Sequence, residues 1–157
     1  MTQRGRRIAL LALLLACLAP MAAARALAQD GPVGRQVVMF GVLATPGSQA
    51  MDPKIPPVVA AQLRRTLPGH GFKLIKVKSG RVSVGQPVAL ELGDGFVSTA
   101  ELINPLDPNG KVQMRFDLSR DGASQFQSIV TTPADQFNFF DKMLPDDSRL
   151  LIGVGAR

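Results

Sequence analysis

The sequence contains no Trp and no Tyr, and it has a single Cys, Cys17, and a single His, His70. Sugar-binding sites and interface hot spots commonly use Trp and Tyr, because their rings combine area with a polar group. Zinc sites usually take His and Cys ligands. We therefore expect no zinc site, no thiol chemistry and no cofactor. We expect most of the eight Phe side chains to lie in a hydrophobic core.

Residues 1–28 have the three parts of a secretory signal peptide in the usual order. Basic residues precede an apolar run from Ile8 to Ala19, which is shorter than the roughly 20 residues that cross a bilayer. The segment Ala26-Leu27-Ala28 fits the small-x-small rule for signal peptidase. We predict cleavage after Ala28 and a periplasmic or secreted protein.

Two other kinds of export signal partly fit this leader, a lipoprotein signal and a twin-arginine signal. Leu14 to Cys17 is a loose lipobox, in which Cys17 would carry a lipid anchor, but Leu15 is bulky where a small residue is usual. The pair Arg6-Arg7 lacks the Phe that follows in twin-arginine signals. The sequence therefore favours a cleaved leader without lipid. No later apolar run reaches membrane length, so we predict no membrane span.

The 129 residues after the predicted cleavage site are enough for one domain with a real core. Four of the 18 basic residues and none of the acids lie in residues 1–28, so the formal charge falls from +6 for the whole chain to +2 for the remainder. A charge-based argument for nucleic-acid binding loses its support, and we predict no nucleic-acid partner. Because Cys17 lies in the leader, stability must come from packing rather than disulfides.

After a flexible lead-in at 29–34, residues 35–157 read as one β-rich domain. Short apolar or alternating runs between turn residues indicate strands. These strands are Arg35–Leu43, Phe72–Lys78, Arg81–Val84, Val88–Leu92, Phe96–Ile103, Lys111–Leu118, Phe126–Thr131 and Leu150–Val154. The turn at 93–95 predicts a hairpin between its flanking strands, and Phe126–Thr131 is the expected partner of Lys111–Leu118.

One amphipathic helix is expected at about 57–67, with Val59, Leu63 and Leu67 on its apolar face. Asp52-Pro53 indicates the start, with Asp52 as the cap. Pro56 and Pro57 fit either the same first turn or a start delayed to about Pro57. Residues 132–144 fit either a helix or a strand at Gln136–Phe140 paired with 150–154, and the strand is favoured. The predicted fold is α+β and mainly β, an antiparallel sheet or β-sandwich of about seven or eight strands.

The order of these features resembles that of small exported bacterial β-rich proteins. The matching segments are Val37–Leu43, Asp52-Pro53, Leu63 with Leu67, Phe72–Ile75, Gly85–Leu92 and Gly93–Gly95. The resemblance covers nearly all of the chain after the leader, and the Pro-Pro pair at 56–57 departs from it. It implies a fold but no activity, since the shared pattern is structural and contains no catalytic residue.

The candidates for chemistry are few. His70 lies between two Gly at a predicted turn, and no nucleophile motif accompanies it. Glu91 and Glu101, the only two Glu, lie on the two strands of one hairpin, where Glu91 is expected on the outer face. Asp107-Pro-Asn109-Gly110 fits part of a calcium loop, but a hairpin turn explains it better. We predict no catalytic residue and no metal site.

The most distinctive polar feature is a basic group that could contact an anionic envelope surface or an acidic protein. Its members are Arg64, Arg65, Lys73, Lys76, Lys78 and Arg81. An ordinary solvated strand face explains the same residues, since Lys also discourages edge pairing.

Two functional hypotheses follow. The favoured one is a non-catalytic envelope module that binds or scaffolds another envelope component, and it predicts an exposed sheet edge or apolar patch for strand addition. The alternative is a small hydrolase or small-ligand-binding protein, in which the fold brings His70 to an Asp and a Ser.

Overall fold

The structure, a computed structural model, describes residues 34–157, which form eight strands and one helix. The predictions for the leader, including the cleavage site and Cys17, and for residues 29–33 lie outside these residues. The elements in chain order are β1 (Arg35–Pro46), α1 (Pro57–Thr66), β2 (His70–Val82), β3 (Pro87–Gly93), β4 (Phe96–Asn104), β5 (Lys111–Arg120), β6 (Ala123–Pro133), β7 (Phe137–Met143) and β8 (Arg149–Ala156).

The strands form two four-stranded antiparallel sheets. Sheet A has the order β2-β1-β8-β7, and sheet B has the order β3-β4-β5-β6. Their facing sides enclose the main core, in which Met39 and Ile152 of sheet A pack with Leu102 and Phe116 of sheet B. This confirms the mainly β, α+β prediction, and of the two predicted arrangements the structure shows the β-sandwich.

Sheet B follows the sequence pattern closely. In β5 the alternating residues Val112, Met114, Phe116 and Leu118 are buried, because successive side chains of a strand point to opposite faces. The predicted partner segment lies in β6, where Ser128 is opposite Phe116. The predicted hairpin between β3 and β4 is also confirmed.

The ambiguous segment 132–144 contains β7, which pairs with β8 and confirms the favoured strand. Phe139 lies opposite Gly153, and the ring of Phe40 covers that glycine. A Cβ at Gly153 would lie 2.6 Å from two ring carbons of Phe40, so only glycine allows this close approach. The Phe40 ring in turn makes edge contacts with Phe137 and Phe139, at centroid distances of 5.1 and 5.6 Å.

The helix packs on the face of sheet A that points away from sheet B, which we call the outer face. Val59 and Leu63 are buried there as predicted, in a second core with Val42 and Phe72. The delayed start at Pro57 is confirmed, but the prediction that Asp52 caps the helix is wrong. The residue before α1 is Pro56, and no side chain caps the helix. With ten residues α1 is too short to cross a bilayer, and residues 34–157 contain no longer helix.

The prediction of two strands at 72–78 and 81–84 is wrong, because β2 runs unbroken from His70 to Val82. Its partner β1 is long enough to pair with all of it, from Pro46 opposite His70 to Arg35 opposite Val82. The register shifts once, since Gly41 is opposite Lys76 but Val42 is opposite Leu74. Ile75 is therefore the extra residue of a β-bulge.

Candidate functional site

An apolar groove crosses the part of the outer face that α1 leaves uncovered. The groove is lined by β1, β2 and the end of β8, by α1 and the segment before it, and by residues 135–137 at the start of β7. Its volume is about 610 Å³, and its apolar lining includes Val38, Phe40, Ile55, Val58, Leu74 and Val77. We call this space the outer groove. Its size falls in the range of roughly 300–1,000 Å³ that is usual for ligand sites.

Two apolar side chains that line the outer groove are exposed. Val58 of α1 is 80% exposed and Val77 of β2 is 51% exposed. Gln62, Asp135 and Arg157 are polar lining residues. The side-chain amide of Gln62 donates to the carbonyl of Phe137 (3.4 Å). The groove therefore offers a largely apolar surface with few polar contacts at its margin.

The outer groove lies beside the edge of sheet A formed by β2. The start of this edge is covered, because the Phe72 N–H donates to the Ala50 carbonyl (2.8 Å) and the Asp52 N–H donates to the Phe72 carbonyl (2.9 Å). Asp52 extends this cover with its side chain, since its Oδ2 accepts from the Leu74 N–H (3.2 Å).

Beyond Leu74, no other segment of residues 34–157 forms backbone hydrogen bonds with this edge, although Lys76 contacts Glu91 of the nearby β3. Within residues 34–157, β1 is the only strand that pairs with β2, so the other side of Ile75–Val82 has no strand partner. We call these eight residues the open edge. Unpaired backbone groups along a sheet edge form a template on which another chain can add a strand.

Asp52 ties the covered part of this edge to the segment before α1. Its Oδ1 accepts from the Lys54 N–H (2.9 Å), and this hydrogen bond is the main reason that the pKa of Asp52 lies below its ordinary value of 3.8. The Leu74 N–H and the nearby Lys54 and Lys73 charges lower the pKa further, while partial desolvation opposes them.

This lowered pKa predicts a pH-dependent contribution of Asp52 to stability. A carboxyl group whose pKa is lower in the folded state stabilises the fold above its unfolded pKa, and the contribution is lost as the pH falls through the folded pKa. We expect Asp52→Asn to reduce the free energy of unfolding at about pH 7, and we expect its difference from wild type to shrink below about pH 4. Urea unfolding across this range measures the difference. An unchanged difference at all pH values would contradict the assignment.

The register of β2 separates the predicted basic group. Lys76 lies opposite Gly41 and Lys78 opposite Met39, and Met39 points into the core between the sheets. Directly opposed residues of neighbouring strands share a face, so both lysines lie on the side of β2 that faces sheet B. Lys73, opposite Leu43, lies on the same side as Lys76, because the extra residue in the bulge shifts the alternation of side chains by one.

The three arginines of the group lie elsewhere. Arg81 lies opposite Gln36, on the other face of β2 from the lysines. Arg64 and Arg65 occupy the last turn of α1 and are exposed above the outer face. The structure thus brings Lys73, Lys76 and Lys78 to one side of β2, the last two on the open edge, and does not bring the arginines to that side.

His70 is the first residue of β2, and its ring Nδ1 lies 3.2 Å from the Pro68 carbonyl oxygen. Within residues 34–157 this is the only side-chain hydrogen bond of His70, and neither an Asp nor a Ser accepts or donates at its ring. Ser98 is fully buried, and its Oγ has no hydrogen-bond partner there. Within residues 34–157, the hydrolase hypothesis therefore has no acid or hydroxyl that is hydrogen-bonded to His70.

The two Glu residues belong to separate ion pairs. Glu101 lies opposite Pro87 and Glu91 opposite Val97, so the two are not cross-strand neighbours. Glu101 Oε2 accepts from Arg115 Nη1 (2.7 Å), and Glu91 Oε2 lies 3.7 Å from Lys76 Nζ.

The acidic loops form hairpin turns. Asp107 Oδ1 accepts from the backbone N–H groups of Asn109 and Lys111, both at 2.8 Å. Asp146 Oδ1 accepts from both the hydroxyl and the N–H of Ser148. From Gly34 to Arg157, no three His, Cys, Asp or Glu side chains come together in a way that could hold a metal ion.

Comparison with known proteins does not identify this arrangement. A scan against family models, a search of curated proteins and a search of solved structures each found no match. Function must therefore be inferred from the outer groove and the open edge themselves.

Sequence reasoning found the lysines of the open edge but missed the outer groove. Val38 and Val77 belong to predicted strands, yet whether both line a groove depends on how much of sheet A the helix covers. Val58 precedes the buried Val59, and the helical pattern alone does not show that it lines a groove. The only sequence signal was the short length of the helix relative to the sheet beneath it.

Proposed function

We propose that this protein is an exported, non-catalytic module that binds another envelope protein by adding an extended segment of it to sheet A along β2. The observation that carries the proposal is the open edge from Ile75 to Val82 with the apolar outer groove directly beside it. The signal-peptide pattern of residues 1–28 supports the location.

Strand addition explains both features at once. Backbone hydrogen bonds to an unpaired edge supply affinity, and pockets next to the edge select alternate side chains of the added strand. Val77 lies on the open edge and also lines the outer groove. A side chain that enters the groove from a strand added at β2 would therefore meet Val77 first and would bury apolar surface there.

The hydrolase alternative has no comparable support. His70 lies at the opposite end of β2 from Val82 and does not line the outer groove. We therefore propose no reaction for this protein.

A substitution in the groove tests the proposal. Peptides selected from a random display library on the wild-type protein should protect the backbone amides of 75–82 from hydrogen exchange. Val77→Asp should weaken their binding at least about tenfold, because an added strand would desolvate the new carboxylate without a partner. Fluorescence anisotropy with a labelled selected peptide measures the affinity.

The matched control is Ile129→Asp, which makes a similar change at a 59% exposed aliphatic residue on the edge strand of sheet B. This control should leave peptide binding unchanged. If selected peptides protect β6 or β7 instead of β2, or if Ile129→Asp weakens binding as much as Val77→Asp does, the proposed site is wrong.

A further inference from the structure

The side chains along the open edge specify the chemistry of the added strand. Resting on the proposed function, we infer that the partner segment alternates acidic and apolar residues, with its acidic side chains toward sheet B and its apolar side chains toward the outer groove. The inference follows from the register of β2 and from the charges on its two faces.

Successive side chains of β2 point alternately toward the outer groove and toward sheet B. Val77 lies opposite Phe40 and lines the outer groove, whereas its neighbours Lys76 and Lys78 lie on the face toward sheet B. A strand that pairs with β2 alternates its own side chains with the same period of two. The residue of that strand opposite Val77 therefore points toward the apolar outer groove. Its two neighbours in the added strand lie opposite Lys76 and Lys78.

The side of β2 that faces sheet B carries positive charge. Lys76 and Lys78 of the open edge are exposed, and so is Lys73 just before it. Within the described residues Lys73 and Lys78 form no salt bridge, and Lys76 has only a 3.7 Å contact with the exposed Glu91. The edge therefore presents positive charge that a carboxylate on an added strand can pair with. Opposite charges directly across a strand pair are favourable, and like charges are unfavourable.

The length of the open edge limits the length of the strand that can be added to it. The cover by Ala50 and Asp52 ends at Leu74, and β2 ends at Val82. The open edge therefore accepts a strand of about eight residues, and charge readout is confined to the part near Lys76 and Lys78. Arg81 lies on the other face, so this end of the edge carries positive charge toward the groove side.

Four labelled eight-residue peptides test this readout at low salt. One alternates Glu with Val, and the others replace its Glu by Gln, its Glu by Lys, or its Val by Ser. We expect the Glu–Val peptide to bind tightest and the Lys–Val peptide to bind weakest by fluorescence anisotropy. The double substitution Lys76→Glu and Lys78→Glu should weaken the Glu–Val peptide about tenfold.

Reversing the charges of both the protein and the peptide distinguishes a loss of charge pairing from a loss of folding. The double variant should bind the Lys–Val peptide more tightly than the Glu–Val peptide, which a misfolded protein would not do. The control Lys142→Glu makes the same change on β7, the other edge strand of sheet A, and should have no effect.

The outcomes separate this inference from the proposed function. If all Val-containing peptides bind equally and protect the amides of 75–82, the charge readout is wrong and strand addition at β2 stands. If the Glu–Ser peptide binds as tightly as the Glu–Val peptide, the groove plays no part and the inference is also wrong. If no peptide protects these amides, the proposed function is overturned together with the inference.

Discussion

Replacement of Phe116 by alanine is expected to reduce the free energy of unfolding by about 3–5 kcal/mol. Phe116 is fully buried between the sheets, and its ring stacks on Phe140 with centroids 4.1 Å apart and planes 7° apart. These two rings connect β5 of sheet B to β7 of sheet A. The substitution removes the transfer free energy of the ring and leaves a cavity that the rigid sheets cannot fill by collapse.

This loss is a large share of the roughly 5–15 kcal/mol that holds an average domain together. Urea unfolding followed by far-UV circular dichroism measures it, since the sequence has no Trp whose fluorescence would report the transition. Phe126→Ala is the matched control. Its ring also lies near Phe116, at 6.3 Å, but the residue is 46% exposed, so we expect a distinctly smaller cost. Equal costs for the two variants would show that the Phe116–Phe140 stack does not join the sheets as described.

Replacement of Leu63 by alanine is expected to cost about 2–5 kcal/mol. Leu63 is fully buried and packs with Val42, Phe72 and Leu151 of sheet A. The helix has ten residues and no side-chain cap, and isolated helices shorter than about 12–15 residues are marginal in water. Its stability therefore depends on the apolar face that Leu63 anchors.

The same variant should weaken peptide binding at the open edge, because α1 supplies one wall of the outer groove. Val58→Ala shortens a side chain on the same helix that is 80% exposed, and we expect a change in unfolding free energy within about 0.5 kcal/mol. Comparing urea unfolding of the two variants separates packing from helix propensity. A small cost for Leu63→Ala would mean that the helix does not depend on this contact.

Most of the strands could be predicted from local pattern. In β5 the side chains alternate because one face is buried and the other is solvated, and in the β3–β4 hairpin the turn residues adopt the positive φ that Asp94 and its flanking glycines show. Both patterns involve residues that are close together in the sequence, so they can be recognised without knowing how the rest of the chain folds.

The errors arose where distant residues decide the structure. Ser79 and Gly80 have weak strand preference, yet they continue β2 because Val38 and Val37 of β1 pair with them. Asp52 has the sequence of a helix cap, but its carboxylate binds the Leu74 N–H, which is 22 residues away. Local preferences are small compared with the hydrogen bonds and burial that a complete sheet supplies.

The sequence by itself determined the fold class, most of the strands and the one helix of residues 34–157, because these depend on composition and on periods of two and 3.6 residues. Only the tertiary structure decided that β2 forms an edge, that its lysines share one face, and that the helix leaves an apolar groove beside it. Those features depend on which strands pair and in what register, and pairing is settled by contacts between residues far apart in the chain.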